Sequence, residues 1–153
     1  MILKDEVRIL KQVPLFAKME PAKLKLLAFT SDRVSFGADE ILFHQGDVGD
    51  AAYLILDGMA DILVDSPNGQ IKVAEIEHNS IVGEMSILCE AARNATVKAQ
   101  TPIEALRIHK DQFLKLLADF PEVTIEIMRV LADRLSQTTI ALTEARSQKQ
   151  RPE

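Results

Sequence analysis

The stretch from Ser80 to Gln100, SIVGEMSILCEAARNATVKAQ, holds residues whose types and spacing could do chemistry. A short apolar run ends at Gly83, where the backbone can turn, and Glu84, Met85 and Ser86 follow. At the first turn of a short helix these residues present backbone N–H groups that lack intrahelical partners. The helix dipole is positive at that end, so the amides favour an anion. Arg93 stands nine positions after Glu84, just ahead of another β-type run. Its guanidinium fork matches phosphate oxygens in bidentate fashion. Glycine, free amides and arginine are together the parts of an anion cradle. Taken alone, the same spacing also describes a turn glycine beside a surface ion pair.

A cradle needs a frame, and the rest of the chain indicates which kind. All six glycines lie between Gly37 and Gly83. Glycines about ten residues apart between short apolar runs mark the turns of an all-β unit. The runs VSF, EILFHQ, AAYLILDG, ADILVDS, IKVAEIE, ATVKAQ and IEALRIH are rich in Val and Ile. With the segment before Gly83 they predict seven or eight short strands, enough for a barrel or jelly-roll closure. SPNG (Ser66 to Gly69) predicts a hairpin between two of them. Helices are expected on either side. Asp5 to Val13 forms one, closed by Pro14, and Pro21 opens a second at a tolerated first-turn position. After the strands, Asp111 is a candidate N-cap for DQFLKLLADF, and Pro121 starts a longer helix to about Ser147. Met128, Leu131, Leu135, Thr138, Leu142 and Ala145 are spaced 3, 4, 3, 4, 3 along it. Two heptads favour a two-helix dimer seam over the alternative, a helix packed on its own domain.

Composition narrows the class. The 153 residues amount to one domain, and 47% apolar with 27% charged residues suits a soluble globular core. A formal charge of −5 gives little support to a nucleic-acid-binding face. One cysteine, Cys89, allows no internal disulfide. It is expected to be a small buried residue, because no basic residue adjoins it. His44, His78 and His109 show no H-x-H or H-x-x-x-H pairing, so they are expected at the surface or in turns, with no metal site. Ser86 lacks a G-x-S-x-G elbow, and nothing supports catalysis. Neither a signal peptide nor an apolar run of membrane-spanning length is found, so a cytoplasmic location without membrane contact is expected.

The run from Phe36 to Gly58 contains Gly37, Ile41, Gln45-Gly46-Asp47, Gly49-Asp50, Tyr53, Ile55 and Gly58. With Gly83-Glu84-Met85-Ser86, Arg93, Ala95, Thr96 and Val97, it resembles the cyclic nucleotide-binding domain family. That family includes the catabolite activator protein, cyclic AMP-dependent kinase regulatory subunits and cyclic nucleotide-gated channels. The resemblance covers nearly the whole chain. It implies a mainly β fold, an eight-stranded β-roll with N-terminal helices and a long C-terminal helix. On that pattern 1–153 is a single domain, with helices over 1–30, the roll over 31–110, a phosphate-binding cassette over 82–97 and C-terminal helices over 111–148.

The resemblance also implies roles. Arg93 would pair with the exocyclic oxygens of cyclic AMP or cyclic GMP, and Glu84 would accept from the ribose 2′-hydroxyl. Amides near Gly83, Ser86 and Ala95 would complete the cradle, and Ile76, Val82 and Met85 would wall the sugar and base. Asn94 stands where other branches carry residues that bear on base preference, so it leaves that preference open. Asn79 replaces a usual glycine and Val82 a frequent Phe; Asn tolerates the left-handed backbone the turn requires. No cofactor is expected. The ligand would order the Gly83–Arg93 cassette, and the C-terminal helix would relay the change to a homodimer through Met128–Leu142, or to an unidentified protein partner. A residue within Met128–Thr138 would cap the base. The chain stops after that helix, so no helix-turn-helix is expected within it. The alternatives are a ligand-binding fragment of a helix-turn-helix regulator and a degenerate-pocket scaffold.

Overall fold

Short β-branched runs punctuated by glycine fold into eight strands among the described residues. A computed structural model describes residues 3–150, with side chains from 7 to 147. Two compact units divide between Leu116 and Leu117.

The first unit opens with α1 (Leu3–Lys11), a 3-10 turn at Pro14–Phe16 and α2 (Pro21–Thr30). The sequence placed the first helix at Asp5–Val13. It ends earlier because the residue before a proline is pushed out of the helical region, and Val13 is extended at φ −77 and ψ 123. The strands are β1 (Asp32–Phe36), β2 (Ile41–Phe43), β3 (Ala51–Asp57), β4 (Ala60–Ser66), β5 (Gly69–Ile76), β6 (Ile81–Val82), β7 (Thr96–Ala99) and β8 (Ile103–His109). A short helix, α3 (Glu84–Leu88), lies between β6 and β7.

All pairings are antiparallel, in two four-stranded sheets of order β1-β8-β3-β6 and β2-β7-β4-β5. This is the expected β-roll. The SPNG hairpin forms with Ser66 opposite Gly69. Asn79 adopts the left-handed backbone, at φ 67. Residues from both sheets fill the core: Tyr53, Ile55, Val82, Ile103 and Ala105 from one, Leu42, Ala60, Ile76, Val97 and Ala99 from the other. Each large aliphatic side chain buried there stabilises the fold by about 1.5–3 kcal/mol. Side chains alternate across a strand, so Leu54, Leu106 and Ile108 occupy the opposite face, where they too are buried.

The helix α4 (Lys110–Asp119) starts one residue before the expected cap. Lys110 N–H donates to Asp50 O at 2.8 Å, which sets the start. Asp111 therefore lies in the first turn, where its charge suits the dipole. In the second unit α5 (Pro121–Gln150) begins on proline, and Thr124 Oγ1 donates to Leu117 O at 2.8 Å. Along α5, Met128 and Leu135 are 62% and 68% exposed, Leu142 51%. Thr138 and Ala145 are also exposed, and Leu131 is half-buried. No helix among the described residues is long and apolar enough to cross a membrane.

Candidate anion-binding site

Strand β6 ends at Val82, and Gly83 turns the chain into α3 with φ +89. That conformation strains any residue with a Cβ. The space is also taken, since a Cβ on Gly83 would lie 2.7 Å from Arg93 Nη1 and 3.3 Å from Ala51 O. The cassette glycine is needed for the turn and for the arginine that passes it. Glu84 at the start of α3 is 1% exposed, and Ser86 is also buried.

Arg93 is 4% exposed. Its Nη1 donates to Gly83 O at 2.6 Å and to Ser86 Oγ at 2.9 Å, and its Nη2 donates to Ala51 O at 2.6 Å. Ser86 Oγ in turn donates to Gly83 O at 3.3 Å. A guanidinium has five N–H donors. Those three bonds engage Nη1 and Nη2 and leave out Nε. Arg93 Nε is buried and finds no hydrogen-bond partner among the described residues. Burial lowers the Arg93 pKa from its ordinary value, while Tyr53, Asp50, Asp47 and Glu84 pull it back. An arginine so placed stays charged. A buried cation whose hydrogen bonds all end on neutral oxygens favours an anion strongly.

Remote segments hold the cassette. Gly46 N–H donates to Arg93 O and Arg93 N–H to Asp47 O, each at 2.8 Å. Gln45 N–H donates to Thr96 Oγ1 at 2.8 Å. The Phe43 ring lies 4.0 Å from Arg93 Cζ. A Cβ on Gly49 would come within 1.9 Å of Ser86 Oγ, so loop 44–50 approaches α3 with no room for a side chain there.

Of the residues singled out by sequence, Gly83, Ser86 and Arg93 meet in one hydrogen-bonded group. Glu84 is buried beside them in the chain. Ile76 and Val82 share the core cluster, and Ala95 is buried; Met85 is 39% exposed and Asn94 is exposed. Phe43, Gly49 and the Ala51 carbonyl received no site role from the sequence. Gly49 was visible as a turn glycine, whereas a backbone carbonyl leaves no trace in residue identity. Cys89 corrects an expectation. It is exposed, because α3 ends at Leu88 and Cys89 follows as its C-terminal cap. His44 and His109 have half or more of their side chains exposed, and His78 is exposed as well. No group of three or more potential metal ligands occurs among the described residues.

The sequence profile of the cyclic nucleotide-binding domain matches residues 33–120, which contain the whole Arg93 group. Over 116 residues the chain is 31% identical to the lysophospholipase nte1 of Aspergillus niger. That match takes 75% of this chain and 8% of the relative, so the chain spans a small part of the curated proteins it resembles. The structure of a cyclic nucleotide-binding-like protein from Brucella abortus superposes with a TM-score of 0.61 at 31% identity, covering 74% of this chain and 98% of that one. The catabolite activator protein of Thermus thermophilus gives a TM-score of 0.75 at 28% identity, covering 86% and 62%. With more than half its length matched by the profile and its β-roll shared with these structures, the chain belongs to the cyclic nucleotide-binding domain family.

Proposed function

We propose that this chain binds a cyclic nucleoside monophosphate, cyclic AMP or cyclic GMP, as a sensing module without catalysis of its own. The buried Arg93 guanidinium carries the reading, with its hydrogen bonds ending on neutral oxygens and its Nε–H uncommitted. The cyclic phosphate supplies a compact monoanion for that fork, and amides at Ser86 and Ala95 complete its shell. Glu84 accepts from the ribose 2′-hydroxyl, and Ile76, Val82 and Met85 supply apolar wall. Asn94, beside the arginine, leaves adenine and guanine both admissible. Ligand binding orders the cassette, and α5 carries the signal to a second copy or another protein. A ligand moves such an equilibrium only by its differential affinity for the two states. Residues 1–153 act as one functional domain on this reading.

Calorimetric titration of both nucleotides into the wild type and Arg93→Ala, in phosphate-free buffer, tests it. Charge-assisted hydrogen bonds contribute about 1.5–3 kcal/mol each, so losing two weakens binding by on the order of a hundredfold or more. A folded wild type that binds neither nucleotide overturns the reading. The second reading, an interaction scaffold, rests on the exposed apolar positions Met128, Leu135 and Leu142 of α5. It then takes first place.

A further inference from the structure

One segment grips Arg93 at both ends. The loop after β2 bonds its main chain through Gly46 and Asp47. Phe43, the last residue of β2, meets its side chain, with Cζ 4.0 Å from the ring centroid. The ring is itself held in place. It tilts 32° against Tyr53 at a centroid distance of 5.9 Å, and Tyr53 meets Phe36 edge-on at 6.2 Å. Both neighbours belong to the layer between the sheets. Gly83 leaves the gap in which ring and guanidinium meet, since a Cβ there would stand 3.3 Å from Phe43 Cε2 and 2.7 Å from Arg93 Nη1.

The geometry divides the work. The N–H donors of a guanidinium lie in its plane, and here they serve Gly83, Ser86 and Ala51. The face of the plane makes no hydrogen bonds, and an aromatic face attracts a cation there, more strongly when both are desolvated. We propose that Phe43 is a positioning residue for the anion site: its ring fixes the plane of the Arg93 guanidinium so that the uncommitted Nε–H is presented to the ligand. This rests on the anion-site reading of Arg93. It adds that the contact with Phe43 persists when phosphate oxygens compete for the in-plane donors. Phe43 therefore acts on ligand affinity through the arginine and touches no ligand atom.

The test uses the full chain with two replacements at position 43. Phe43→Met removes the ring. Site-specific 3,5-difluorophenylalanine keeps the ring's shape and weakens its negative face. Cyclic AMP and cyclic GMP are titrated by calorimetry, and the mobility of Arg93 Nε–H is read by 15N relaxation without ligand. Phe43→Met should weaken binding roughly tenfold and loosen Arg93 Nε. The difluoro variant should show part of both effects at an unchanged fold. If the difluoro protein matches the wild type in affinity and in Nε mobility, Phe43 serves only packing and the proposal is overturned. That variant decides the matter alone should Phe43→Met not fold. If the wild type binds neither nucleotide, the sensing reading falls, and Nε mobility still decides the role of Phe43.

Discussion

Gly49 and Ser86 lie 37 positions apart in sequence, yet a Cβ on Gly49 would stand 1.9 Å from Ser86 Oγ and 2.4 Å from Ser86 Cβ. The loop after β2 and the cassette helix thus touch backbone to side chain. Arg93 Nη1 donates to the same hydroxyl, so this approach also sets the arginine.

Gly49→Ala forces that contact apart. Overpacking of this kind costs about 1–3 kcal/mol, and the variant should show a lower urea midpoint and weaker nucleotide binding. Ser86→Gly alone also costs stability, because it removes a partner of Arg93, but combined with Gly49→Ala it should lose less than the sum of the two single variants, since the opposing atoms are gone. Strictly additive losses would place the strain elsewhere.

Glu84 is nearly fully buried at the first position of α3. If its carboxylate accepts from the ribose 2′-hydroxyl as proposed, the wild type should prefer a ribonucleotide to its 2′-deoxy analogue by roughly tenfold, and Glu84→Gln should shrink that ratio. Competition titration of cyclic AMP against 2′-deoxy cyclic AMP measures both. An unchanged ratio in a folded Glu84→Gln removes the residue from the sugar.

Asp32 Oδ2 accepts from Arg107 Nη2 at 3.0 Å and lies 2.8 Å from His109 Nε2. The Arg107 hydrogen bond, then that of His109, hold the Asp32 carboxyl below the ordinary 3.8. The folded state then binds fewer protons here than the unfolded state in acid. The pair's stabilisation is present above the unfolded pKa and is lost as pH falls through the lower folded one. Urea midpoints measured from about pH 6 to about pH 3 should fall less steeply for Asp32→Asn than for the wild type. The side chain is half-exposed, so solvent screening keeps the difference small. Parallel curves would exclude this contribution.

On α5, Leu135 and Leu142 lie one heptad apart and are both exposed. If they form a dimer seam, Leu135→Glu should shift the sedimenting species from dimer to monomer, because a buried charge opposes association. Circular dichroism should stay unchanged. A wild type that sediments as a monomer at high protein concentration would leave α5 to another partner.

Much of this protein is legible in its residues alone. The glycine spacing and β-branched runs determine short strands, the prolines at 21 and 121 open helices, and Gly83 to Arg93 holds the cradle's side chains within one short segment. These are local facts of backbone preference and periodicity. Tertiary structure decided what Arg93 touches. Its Nη2 partner is a backbone oxygen 42 residues away, at Ala51, and its Cζ lies over the ring of Phe43. A carbonyl carries no side-chain identity, and which ring lies under a guanidinium depends on the packing of β2 and β7 with the cassette. Cys89 shows the same limit, since its exposure follows from where α3 ends. Residue types determined that an arginine follows the glycine turn within one short segment; only the closure of two sheets determined how it is buried and held.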